Sequence, residues 1–168
     1  MKARVSIIMG STSDWTVMEK AANFLNEMEI PFEINALSAH RTPDEVEKFA
    51  REAEMRGVEV IIAGAGMAAH LPGVIAAMTS LPIIGVPVKS SFDGLDALLA
   101  IVQMPPGIPV ATVAVNGAQN AAILAMQMLA VGDMELKEKM KHFKAGLKDK
   151  IVNANQTLAE HKFDYRVQ

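Results

Sequence analysis

"VSIIMGSTSDWTVMEKAANFLNEMEIPFEINAL", Val5 to Leu37, reads as strand, helix, strand. The apolar run Val5–Gly10 ends in a polar turn, Gly10–Asp14. From Asp14 to Met28 apolar residues recur at helical spacing, and Phe32–Leu37 is a second β-rich run. Working outward, the pattern repeats. A capping box predicts the start of the next helix, with Thr42 at N-cap, Pro43 at N1 and Glu45 at N3, and its end falls near Gly57. Three more apolar runs, near residues 58–64, 81–88 and 108–115, predict strands separated by short helices or loops. Such alternation gives right-handed βαβ units and a parallel sheet covered on both faces. The expectation is an α/β fold: one domain over 1–168, a doubly wound, flavodoxin-like three-layer sandwich. Residues from about 133 to 160 add a C-terminal helix, striped by Leu136, Met140, Phe143, Leu147 and Ile151. That stripe is expected to pack on the body or on a neighbour.

Composition narrows the function classes. A chain of 168 residues that is 51% hydrophobic can bury a substantial core. Its net charge of −3 leaves no electrostatic footprint for nucleic acid or an anionic membrane. The absence of cysteine removes disulfides, thiolate catalysis and Cys-based metal sites. Met1–Gly10 is too short for a signal-peptide core and lacks a cleavage site. No apolar run reaches about 18 residues. The expected setting is the cytoplasm, with no membrane and no nucleic acid as partner. Between Val60 and Gly132 the only charged residues are Lys89, Asp93 and Asp96. Doubly covered strands explain part of this. The helix "AAILAMQMLA" (Ala121–Ala130) is apolar all round, which predicts enclosure by another copy of the chain.

In an open α/β sheet ligands bind beyond the carboxyl ends of the strands, where three polar loops lie. "GSTSD" (Gly10–Asp14) offers hydroxyls and N–H groups at a helix start, suited to a phosphate; Ser13 and Asp14 also suit simple capping and dipole complementation. Beside a phosphate, Asp14 fits sugar hydroxyls better than the anion. The loop is neither a P-loop nor G-x-S-x-G. "SAHRTP" (Ser38–Pro43) brings a phosphate-clamping Arg41 next to His40, which can exchange protons near neutrality, although ordinary loop polarity accounts for the same residues. "AGAGMAAHLPG" (Ala63–Gly73) formally fits G-x-G-x-x-G/A, but Pro72 interrupts the required helix and Lys89 stands where a ribose-binding acid belongs. What remains is a small-residue approach to a ligand, with His70 either a polar ligand group or a structural histidine. The four histidines lack HxH or HExxH spacing, so no metal site is expected. One Trp and one Tyr give little to sandwich a flavin. Loop plus helix accounts for most of "KSSFDGLDALLAIVQMPPGIP" (Lys89–Pro109), and the serines of its opening "KSSF" can help enclose a ligand.

Taken in order, "GSTSD", "SAHRTP", "AGAG-AAHLPG" and "DALLAIVQMPPGIPVATV" resemble the PurE family of purine biosynthesis, from about Val5 to Leu129. "SAHRTP" with "AAHLPG" is similar to the class I, bacterial mutase type. The animal-type class, which carboxylates aminoimidazole ribonucleotide (AIR) with CO2, has Lys after the loop histidine and lacks His-Leu-Pro-Gly. The resemblance implies conversion of N5-carboxyaminoimidazole ribonucleotide (N5-CAIR) to 4-carboxy-5-aminoimidazole ribonucleotide (CAIR), without ATP, metal or redox cofactor. It implies that Ser11, Ser13 and Arg41 hold the phosphate and Asp14 the ribose hydroxyls, with Ser38, Gly66, His70 and Leu71 also at the substrate and His40 moving protons. It further implies a homo-octamer, with C-terminal helices crossing to neighbours. One position departs: Met67 stands where most of the family carries glycine. If that residue needs positive φ, Met is costly there; if not, its side chain narrows the pocket or points away.

Overall fold

The computed structural model describes residues 1–167. Five parallel strands form one sheet: β1 (Val5–Met9), β2 (Phe32–Ala36), β3 (Val60–Gly66), β4 (Ile83–Val88) and β5 (Ala111–Thr112). Their order, β2-β1-β3-β4-β5, is the flavodoxin-like one expected from the sequence. The chain reverses its direction of travel across the sheet between β1 and β3, which opens a crevice above their carboxyl ends. Helices α1 (Trp15–Glu27) and α5 (Ala118–Leu129) pack together on one face. The core of the other face joins α2 (Pro43–Arg56), α3 (Leu71–Ala76) and α4 (Leu95–Val102).

Alternation along the strands feeds the two cores. Ile8, Ile61, Ala63 and Ala65 belong to the cluster with Val46, Phe49, Ile75 and Ile101. Ile7 and Ile62 are equally buried but point the opposite way, as the period of two requires. On that second face Gly64 leaves room for Met18, because an added Cβ would collide with the thioether. Both faces being covered, β1 and β4 are buried throughout.

Several boundaries differ from expectation. β5 was expected across 108–115 but pairs with β4 only at Ile84–Ala111 and Gly85–Thr112. The carbonyls of Gly85 and Pro87 face β5, accepting from Val113 and Asn116. Pro87 therefore has no N–H on that side to extend the ladder. α1 begins at Trp15 rather than Asp14, after a 3-10 turn over Thr12–Asp14. α2 ends at Gly57 as read, with φ of 95°. Thr42 occupies the N-cap position, but its hydroxyl does not cap the helix.

The chain divides into two compact units, Met1–Leu129 and Ala130–Gln168. The second holds α6 (Met134–Ala159). The Asp133 carboxylate caps it, accepting from the N–H groups of Glu135 (3.1 Å) and Leu136 (3.2 Å). At the far end the Arg166 guanidinium donates to the Leu158 and His161 carbonyls. Along the expected stripe Leu136 and Met140 are buried, whereas Leu147 and Ile151 are exposed. Among the described residues no helix is long and apolar enough to cross a membrane.

Candidate active site

A cavity of about 380 Å³ opens above the carboxyl ends of β1 and β3. It is the crevice that strand order alone predicts. Four loops wall it, leaving β1, β2, β3 and β4 in turn, and all nine residues singled out from the sequence line it: Ser11, Ser13, Asp14, Ser38, His40, Arg41, Gly66, His70 and Leu71.

The loop after β1 is a tight 3-10 turn. Ser11, not Ser13, supplies the cap: its Oγ accepts from the Ser13 N–H at 3.3 Å, and its backbone carbonyl accepts from Asp14 N–H. Serving as an acceptor leaves the Ser11 hydroxyl proton free to donate into the cavity. The Ser13 hydroxyl lies 3.4 Å from Asp14 Oδ1. Burial raises the Asp14 carboxyl above its ordinary value, and the hydrogen bonds from Ser13 and Ser11 only partly offset it.

The loop after β2 is held by Thr42. Its hydroxyl turns back to accept from Ser38 N–H (2.9 Å) and donate to the Ser38 carbonyl (3.0 Å), while Thr42 N–H also reaches that carbonyl (2.8 Å). The expected capping box is thus replaced by a clasp around residues 38–42. A hydroxyl already bonded to the loop backbone has no call on the helix N–H groups. Ser38 Oγ accepts from Arg41 N–H at 3.2 Å. The Arg41 guanidinium donates to the Gly10 carbonyl at 3.3 Å, tying the second loop to the first.

His40, on this same loop, meets His70 from the loop after β3. Nε2 of His40 lies 2.7 Å from Nδ1 of His70, with the rings edge to face at 87°. That contact needs one nitrogen bearing a proton and the other bare. Both rings line the cavity, so the pair joins the loops after β2 and β3 at its wall.

The third loop turns sharply. Ala69 N–H bonds to the Gly66 carbonyl at 3.0 Å, and Met67 takes φ of 54° within the turn. Gly66 permits close approach of backbone: a Cβ there would lie 3.1 Å from the Val88 carbonyl oxygen. Leu71 lines the wall although its side chain belongs to the core, only 2% exposed, so what it offers the cavity is chiefly shape. Ser90, from the loop after β4, also lines the cavity. The "KSSF" segment suggested such a serine without distinguishing Ser90 from Ser91. Lys89 N–H holds that loop, donating to Asn116 Oδ1 at 2.9 Å. Among the described residues no group of three or more His, Cys, Asp or Glu could hold a metal ion.

Chemically, the cavity offers hydroxyl donors and a guanidinium, a carboxylate beside them, and two touching histidines next to small, apolar backbone. Residues 4–150 match the family described as AIR carboxylase. Over 146 residues the chain is 58% identical to a Pyrococcus abyssi protein named N5-carboxyaminoimidazole ribonucleotide mutase, covering 86% of this chain and 84% of that one. A Candida glabrata protein named phosphoribosylaminoimidazole carboxylase is 56% identical over 143 residues, which are 84% of this chain and 25% of its own. The crystal structure of Treponema denticola PurE superposes with a TM-score of 0.83 at 32% identity, covering 92% of this chain and 97% of that one.

Proposed function

We propose, from the premise that this chain belongs to the AIR carboxylase family, that it is an N5-carboxyaminoimidazole ribonucleotide mutase of purine biosynthesis. The observation that carries the reading is the 2.7 Å contact between His40 and His70 at the mouth of a cavity that also holds Arg41 and Asp14. A ribonucleotide monophosphate needs an anion clamp, an acceptor for ribose hydroxyls and, for this rearrangement, a proton carrier. The cavity groups supply one of each.

In this reading the phosphate lies among Ser11, Ser13 and Arg41, with the Ser11 proton donated to it. The Asp14 carboxylate accepts from the ribose, and Ser38 holds the Arg41 backbone in place. The imidazole then faces His40, His70 and Gly66, with Leu71 shaping the wall. The carbamate C–N bond breaks, releasing CO2 as the exocyclic nitrogen takes up a proton. C4 attacks that CO2, forming the new C–C bond, and the C4 proton departs. The net change is one carboxyl group moved from nitrogen to carbon and one proton moved from carbon to nitrogen. His40 carries that proton, and His70 accepts or returns it through their shared contact. No oxidant, reductant or ATP is consumed, so the reading requires no cofactor.

The charge-poor stretch from Val60 to Gly132 supports a homo-oligomer, and the family resemblance supports an octamer. On α4, Leu95, Leu99 and Val102 present an exposed apolar row at helical spacing, as an associating surface would. Residues 1–168 are read as one catalytic domain with a helical extension, acting in the cytoplasm on a small ribonucleotide.

The test supplies purified protein with N5-CAIR labelled in its carboxyl carbon, together with unlabelled bicarbonate and without ATP or metal. Rapid formation of CAIR that keeps the label is the expected result. CAIR carrying diluted label would instead identify leakage or a carboxylase using free CO2. No acceleration over background would leave only a nucleotide-binding module.

A prediction about Asp14 follows from its burial. Because its carboxyl is raised in the folded chain, folding carries an electrostatic penalty at every pH above the folded value. The penalty fades as pH falls through that value towards the unfolded one. Asp14→Asn should therefore melt at a higher temperature than the parent at pH 7, with the difference closing on acidification. Calorimetric titration should show the same variant binding CAIR more weakly, since the amide replaces one acceptor of the ribose.

A further inference from the structure

We infer that Met67 is the water-excluding seal of the cavity, an apolar flap that keeps released CO2 beside the acceptor carbon. The inference rests on the mutase reading above and adds a residue to it.

The backbone is the first observation. Met67 is the first central residue of the turn closed by Ala69 N–H on the Gly66 carbonyl, and its φ is 54°. A turn with positive φ at that position is filled most easily by glycine, and any larger side chain there is strained. Glycine would satisfy everything the turn requires, and the methionine adds a side chain at that point.

Placement is the second observation. Met67 lines the cavity yet remains 59% exposed, and its neighbour Ala68 is exposed too, while Ala65 and Ala69 at the two sides of the turn are buried. An exposed thioether on a four-atom chain is neither core nor surface polarity. It is an adaptable apolar arm, rooted next to Gly66 and three residues from His70.

The chemistry supplies the need. Between cleavage of the carbamate and attack by C4, CO2 is held by no covalent bond. Water entering at that moment gives bicarbonate and strands AIR. The described polar groups of the cavity attract water, and the loops at its mouth carry exposed His40, Arg41 and His70. Of the residues lining the cavity, Met67 alone combines length, apolarity and exposure. Folding that chain over the mouth replaces water with hydrocarbon.

Labelled N5-CAIR in excess unlabelled bicarbonate tests this, with parent, Met67→Gly and Met67→Leu compared. Met67→Gly should melt no lower than the parent, since glycine relieves the left-handed strain, and should still form CAIR. Its product should lose at least about half of the label that the parent retains, and free AIR should accumulate. Met67→Leu restores an apolar arm and should retain label like the parent. Met67→Gly product as fully labelled as the parent's would overturn the inference, as would equal leakage from the glycine and leucine variants. A parent protein that makes no CAIR would fail the mutase reading itself, a result distinct from either.

Discussion

Replacing His40 with asparagine is expected to lower CAIR formation by about 10³-fold while leaving the affinity for CAIR within about twofold of the parent. Asparagine keeps a polar group of similar reach on the loop. It cannot pick up and release a proton near neutral pH. The clasp of Thr42 on Ser38 is formed by the backbone and the Thr42 hydroxyl, so the substitution does not disturb how the loop is held. Binding contacts with phosphate and ribose come from the other loop residues. A split between kcat and affinity is the signature of a group that works on protons. Stopped conversion assays beside calorimetric titration measure the two separately. Activity above about a tenth of the parent would reassign the proton transfer to another group, with His70 the nearest candidate.

Arg41→Ala should show the opposite signature, with KM raised on the order of 10- to 100-fold and kcat changed far less. A charge-assisted hydrogen bond to an anion contributes about 1.5–3 kcal/mol, which sets that range. Two functions are lost together. The guanidinium no longer meets the phosphate, and the loop after β2 loses its tie to the Gly10 carbonyl. Arg41→Lys separates them, because an ammonium keeps the charge but not the planar fork, and should recover only part of the affinity. A substrate analogue without the phosphate sharpens the test. The parent and Arg41→Ala should bind it equally weakly. An alanine variant that loses affinity for the phosphate-free analogue as well would show that Arg41 acts by shaping the loop, not by clamping the anion.

Much of the fold was legible because it depends on local pattern. Apolar runs bounded by glycine and proline marked four of the strands closely, and α2 ended at Gly57 as read. The shortness of β5 was not legible. It follows from which side of β4 the Pro87 nitrogen faces, a fact of pairing rather than of pattern. The loops that wall the cavity were visible as polar interruptions after strands. How they are pinned was not. Thr42 and Glu45 fit a capping box by spacing, yet the Thr42 hydroxyl found a nearer partner in the Ser38 backbone. His40 and His70 are thirty residues apart, and only the crossover from β2 past β1 to β3 brings them together. Leu71, expected at the substrate, lines the cavity with its side chain almost wholly buried, a burial that its sequence context does not announce.

The fixed register of the strand ends carries a consequence for how such a chain can change over time. Met9 is in register with Ala36 on one side and Gly64 on the other, so the loops carrying Ser11 and His40 start from the same height, and the loop carrying Met67 starts two residues above them, at Gly66. A residue inserted between Leu37 and Pro43 would shift His40 and Arg41 against both neighbouring loops at once. An insertion between Met28 and Pro31, at the opposite edge of the sheet, would alter none of those heights. Length variation, whether introduced by drift or by an engineered tag, is therefore affordable beneath the sheet and costly above it.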